Sequence, residues 1–103
     1  MISLADPILG EEEKQALYAV IDSNWLTMGE RVAEFERAFA VLHNAESAVA
    51  VNSCTAGLHL CLAAFGLGSG DEVLVPSLTF VATVNAIMYT GAKPVFVDIK
   101  DND

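Results

Sequence analysis

The sequence predicts an α/β fold, parallel strands joined by crossover helices, beginning near residue 47. Two observations predict it. From residue 47 onward, β-rich and helical runs alternate in the order strand, helix, strand, helix, strand. Between the first strand and the helix after it lies a cluster of small residues, Ser53-Cys54-Thr55-Ala56-Gly57, which has the strand–turn–helix pattern of a phosphate cup. Hydrophobic residues make up 53% of the 103 residues and charged ones 18%, rich for a chain whose small size gives it much surface per volume. That excess predicts apolar faces covered by further polypeptide or by a second subunit.

Residues 11–21 read as an amphipathic helix. Glu11, Glu12 and Glu13 crowd its positive end, and Ala16, Leu17, Val20 and Ile21 form the apolar stripe. The glutamate run is a solvated face and no acid/base site. Asp22-Ser23-Asn24 ends the helix. A second helix is predicted over 30–42, with Val32, Phe35, Phe39 and Leu42 at helical spacing and both phenylalanines expected in the core. Strands follow at 47–52, 72–75 and 93–98, with helices at about 56–65 and 79–89. Gly66-Leu67-Gly68-Ser69-Gly70 precedes a strand, so it reads as a helix stop and turn, not a nucleotide loop.

At the two turns, hydroxyls and an aromatic ring come into play. A helix start leaves backbone N–H groups unpaired; small residues let an anion approach them, and Ser53 and Thr55 add hydroxyl donors. The same residues also suit an ordinary N-cap. The strand at 72–75 runs into Pro76-Ser77-Leu78-Thr79-Phe80, which puts an aromatic ring at a strand's carboxyl end, where open α/β sheets bind ligands. Together the two turns suggest a phosphorylated, planar cofactor.

Composition excludes other partners. Five Lys plus Arg stand against 14 Asp plus Glu, a net charge of −9, which argues against nucleic acid and anionic membranes. Cys54 and Cys61 lack the accompanying pair of a zinc site, so no metal is expected, and Cys61 is expected to pack as a small hydrophobe. Met1-Ile2-Ser3-Leu4 lacks the basic start of a leader, and a reduced, cytoplasmic protein is the expectation. His43 and His59 read as structural or exposed, and Asp98 as a loop or cap residue.

Several blocks, in the right order, carry a family resemblance. They are Asn52-Ser53-Cys54-Thr55-Ala56-Gly57-Leu58-His59-Leu60, the run from Gly70-Asp71-Glu72 through Pro76-Ser77-Leu78-Thr79-Phe80, and Gly91-Ala92-Lys93-Pro94-Val95-Phe96-Val97-Asp98. Upstream stand Trp25-Leu26-Thr27-Met28-Gly29 and Phe35-Glu36. The chain resembles the N-terminal part of the DegT/StrS family, sugar aminotransferases dependent on pyridoxal 5′-phosphate.

The resemblance implies the start of an aspartate aminotransferase-like, fold type I large domain. Residues 1–103 would be a single incomplete domain, with a helical segment at 1–45 and the beginning of the cofactor-binding α/β domain at 46–103. It implies transfer of an amino group from an amino acid, glutamate being expected, to a keto group of a nucleotide-linked sugar, in a homodimer. Cys54, Thr55 and Ala56 would grip the cofactor phosphate through backbone N–H groups and Phe80 would stack on its pyridine ring. Position 54 is often glycine in the family, so cysteine leaves slightly less room. Trp25, Leu26 and Thr27 would lie near the sugar.

The family's Schiff-base lysine falls beyond residue 103, and Lys14, Lys93 and Lys100 match none of its motif. An N-terminal fragment without catalytic residues, inactive alone, is therefore expected, with Lys100-Asp101-Asn102-Asp103 as the start of a loop. Two alternatives stay open: a dehydratase of the same family, and a non-catalytic truncated α/β protein. The wider fold also implies that Val73 and Val75 ladder in parallel with Val95 and Val97, while Val49 and Val51 find no strand partner within the chain.

Overall fold

The computed structural model describes residues 5–100, so the readings of Met1-Ile2-Ser3-Leu4 and Asp101-Asn102-Asp103 lie outside the described residues. Six elements follow in chain order: α1 (Glu11–Asp22), α2 (Glu30–Leu42), α3 (Cys54–Ala64), β1 (Glu72–Pro76), α4 (Val81–Tyr89) and β2 (Lys93–Val97). They fall into two compact units that divide after Ala50.

The first unit holds α1 and α2. Glu13 reaches back from the first turn of α1 to accept the Gly10 N–H at 2.6 Å, and Glu11 accepts from the Gln15 amide at 2.9 Å and Lys14 Nζ at 3.3 Å. Gln15 first and Lys14 second hold Glu11 below the usual carboxylate range, and the Gly10 amide does the same for Glu13. Both helices end on a left-handed asparagine, Asn24 (φ 56°) and Asn44 (φ 50°). After α2, the Asn44 N–H bonds the Val41 carbonyl and the Ala45 N–H the Ala40 carbonyl, closing the helix end.

The expected core phenylalanines are not buried. Phe35, Phe39 and Leu42 are exposed, as are Leu17 and Ile21 of the α1 stripe, because no element within the unit covers those faces. Phe35 and Phe39 meet at 5.7 Å between ring centroids, and Phe39 lies 4.3 Å from the His43 ring. Only Ala40 is buried among the α2 residues.

The second unit is built on β1 and β2, a parallel pair with α4 as the intervening helix. The parallel pairing agrees with expectation; the register opposes Val73 to Pro94 and Val75 to Phe96. Residues 47–52 form no strand, and Val49 and Val51 have no ladder partner among the described residues. A strand is defined by its ladder, so β-propensity at 47–52 yields only chain outside any ladder among the described residues.

The core of this unit is Val75, Ile87 and Ala92, with Leu62 of α3 and Val73 and Val84 packed around it. Helix α3 packs on α4, where His59 meets Tyr89 edge-on at 5.6 Å. Cys61, expected inside, is exposed; it sits on an α3 face that nothing described covers. The helix stop at Gly66 holds: with φ 75° it lets its own N–H reach the Ala63 carbonyl and the Leu67 N–H reach that of Leu62. Asp71 Oδ2 accepts the Gly68 N–H at 2.8 Å, and its carbonyl accepts from Lys93 N–H at 2.9 Å, starting the ladder. Lys93 pairs with Glu72 at 2.7 Å on the surface, and that hydrogen bond raises its pKa. Leu74 stays open, 69% exposed, although parallel sheets bury both faces.

Candidate functional site

The first candidate cluster is the start of α3. Ser53 is extended (φ −161°, ψ 154°) and N-caps the helix, its Oγ accepting the Ala56 N–H at 3.1 Å. The cap and the cup therefore compete for one donor. Cys54 and Thr55 N–H groups, by contrast, have no acceptor among the described residues, as the first turn of any helix requires. No acidic residue stands in this first turn, whereas three crowd that of α1, so the positive end of α3 is left uncompensated. The Cys54 thiol is free and exposed.

The second is Phe80, where β1 hands over to α4. It occupies the N-cap position with φ −71° and ψ 138°, and its carbonyl accepts the Thr83 N–H at 3.0 Å. The backbone is held there by that bond while the residue is 77% exposed, which leaves a flat apolar face open. Thr79 and Thr83 hydroxyls bond at 3.2 Å across the same turn. Phe80 and the α3 turn belong to one compact unit, and no hydrogen bond or ring contact joins them among the described residues.

Trp25, Leu26 and Thr27 lie in the first unit, on the loop between α1 and α2. With Val20, Glu30 and Arg31 they line an open groove of about 740 Å³. The Ser23 hydroxyl ties the loop at its start, donating to the Val20 carbonyl at 2.7 Å and accepting the Trp25 N–H at 3.2 Å. At its end, Trp25 Nε1–H donates to the Met28 carbonyl at 3.0 Å. Sequence reasoning missed the seating of this indole over Gly29, and also the Glu36 carboxylate that accepts the Ala50 N–H at 2.8 Å across fourteen residues. The Phe35-Glu36 motif marked the second position without its role. Among the described residues no group of three His, Cys, Asp or Glu side chains could hold a metal ion, and no helix is long and apolar enough to cross a membrane.

A parallel β–α–β unit preceded by a capped helix start, with an aromatic ring at the strand's carboxyl end, shares its architecture with the N-terminal part of solved fold type I aminotransferases. The chain belongs to the DegT/DnrJ/EryC1/StrS aminotransferase family, whose profile matches residues 7–103. It is 51% identical over 96 residues to the spore coat polysaccharide biosynthesis protein SpsC of Bacillus subtilis, covering 93% of this chain and 25% of that one. Spr1654 of Streptococcus pneumoniae, assigned to the sugar aminotransferases and solved in a PLP-form, superposes with a TM-score of 0.92 at 35% identity, covering 99% of this chain and 26% of that one. The aminotransferase TlmJ of Streptoalloteichus hindustanus gives 0.83 at 42% identity, with 97% and 28% covered. The chain thus spans about a quarter of the length of the relatives it matches.

Proposed function

We propose that this chain is the cofactor-phosphate and ring-binding start of a pyridoxal 5′-phosphate-dependent sugar aminotransferase, which moves an amino group from an amino acid, glutamate in our reading, to a keto group of a nucleotide-linked sugar. The observation that carries it is the family match over 7–103, supported by the PLP-form of a close structural neighbour.

The chain's own residues fit the cofactor. Two amides, of Cys54 and Thr55, have no acceptor among the described residues at a helix end free of carboxylates, the arrangement that favours a phosphate. Ala56 can join them only by sharing its N–H with the Ser53 cap. The open ring of Phe80 offers a face for a planar heterocycle. When bound, the cofactor supplies an electron sink for bonds at the amino acid's α-carbon. What residues 53–56 and Phe80 do is bind and orient it; they transfer no proton in this reading. Trp25, Leu26 and Thr27 line the sugar side. The lysine that would anchor the cofactor is taken to lie in the remainder of the protein, and the exposed apolar faces of α1, α2 and the sheet to be covered there or by a second subunit.

The test uses the full-length protein. Incubated with pyridoxal phosphate, glutamate and UDP- or dTDP-linked keto sugars, it should form an amino sugar and 2-oxoglutarate in equal amounts. A dehydrated sugar without amination would point to the dehydratase branch, and no cofactor uptake at all would overturn the reading.

A further inference from the structure

The loop carrying Leu26 and Thr27 is closed by a contact for which glycine is required. Trp25 folds back along the chain so that its Nε1–H donates to the Met28 carbonyl at 3.0 Å. This brings the indole's five-membered edge directly over the next residue, Gly29. A Cβ built on Gly29 would lie 2.5 Å from Trp25 Nε1 and 2.6 Å from Cδ1, far inside any real contact. Gly29 is extended at φ −163°, a conformation open to every residue, so backbone freedom is not why glycine stands there. It stands there for space. The other end of the loop is held independently, by the Ser23 hydroxyl bonded to the Val20 carbonyl and the Trp25 N–H. Between these ties, Leu26 is 77% exposed and lines the groove with Thr27. An exposed loop of this kind would otherwise sample many conformations, and its side chains would lose entropy on every binding event.

We infer that Gly29 is a positioning residue for the sugar substrate, acting through Trp25: the indole seats on Gly29 as a latch that holds Leu26 and Thr27 in their groove-lining geometry. The inference rests on the proposed sugar aminotransferase function. Adding a methyl group at position 29 would push the ring off, break its bond to the Met28 carbonyl and leave the loop tied at one end only. The amide grip at Cys54 and Thr55 and the Phe80 ring belong to other elements, so the cofactor step would not sense the change.

The experiment compares full-length wild type, Gly29→Ala, Trp25→Phe and the double variant. Two steps are measured separately: the donor half-reaction, followed through cofactor absorbance with glutamate, and overall transfer to UDP- and dTDP-linked keto sugars. Gly29→Ala should raise KM for the keto sugar by about tenfold, the worth of one hydrogen bond and an ordered loop, while the donor half-reaction keeps its rate. Trp25→Phe should raise the same KM, and the double variant should add little, since both changes open one latch. Acrylamide quenching of Trp25, read as the difference from the Trp25→Phe protein, should increase in Gly29→Ala. An unchanged sugar KM in an enzyme that aminates keto sugars would overturn the latch alone, as would an equal loss in both steps, or fully additive effects. A wild type that completes the donor half-reaction but aminates no keto sugar would overturn the functional reading and the sugar role together, even if quenching still reported the latch.

Discussion

Replacing Cys54 by proline separates the phosphate cup from the fold that presents it. Cys54 is the first residue of α3, where proline's fixed φ suits the helix and the missing N–H costs no intrahelical bond. The preceding Ser53 is already extended at φ −161° and ψ 154°, the region a following proline favours. Stability should therefore hold or rise by about 0.4–1 kcal/mol, through the unfolded state. What is deleted is one of the two amides with no acceptor among the described residues. A hydrogen bond to a charged group is worth about 1.5–3 kcal/mol, so cofactor affinity should fall roughly 10- to 150-fold. Cys54→Ala, which removes the thiol and keeps the N–H, is the control and should bind at least as well as wild type. The assay is absorbance titration of the full-length apoenzyme with pyridoxal phosphate and, in parallel, with pyridoxal. The penalty should appear only with the phosphorylated form. Equal affinity of Cys54→Pro and Cys54→Ala for pyridoxal phosphate, or the same loss with pyridoxal, would refute the cup.

Two further outcomes follow from the geometry. In the full-length enzyme, Phe80→Ala should weaken cofactor binding by about 1–2 kcal/mol while Phe80→Trp is tolerated, since a larger face still covers the ring; unchanged affinity in Phe80→Ala would make the ring a surface residue only. The carboxyls of Glu11 and Glu13 are depressed below the ordinary 4.5, so their support of α1 is present above that value and is lost as pH falls through their lower folded values. Hydrogen exchange in the α1 peptide, corrected for intrinsic rates, should rise on acidification between about pH 5 and pH 3, and Glu13→Gln should blunt the step; a flat profile would contradict the helix-start contact to Gly10.

Much of the architecture was legible because its causes are local. Helix starts were marked by the glutamate run at 11–13 and by Ser53, and the glycine at 66 stopped α3 because only a left-handed residue closes that end cheaply. The parallel sense of the β1–β2 pair followed from the intervening helix, its choice of partner from the family resemblance, and the blocks around Ser53 and Phe80 were among those that pointed to the family. Residues 47–52 show where that logic stops: their side chains favour a strand, yet a strand exists only when another chain segment offers its carbonyls and amides. Phe35, Phe39 and Cys61 make the same point for burial, since helical spacing puts residues on one face without supplying anything to cover it. The site divides likewise. Sequence alone pointed to Ser53 as a residue suited to cap α3, though it began the helix at about 56 where the structure begins it at Cys54, and it pointed to the ring that ends the β1 turn. Only the tertiary structure decided that Ser53 spends its cap on Ala56, leaving Cys54 and Thr55 as the amides without an acceptor among the described residues, and that Trp25 turns back onto Gly29. Those outcomes are competitions for donors and for space, which are settled by distances between atoms that spacing in the sequence does not fix.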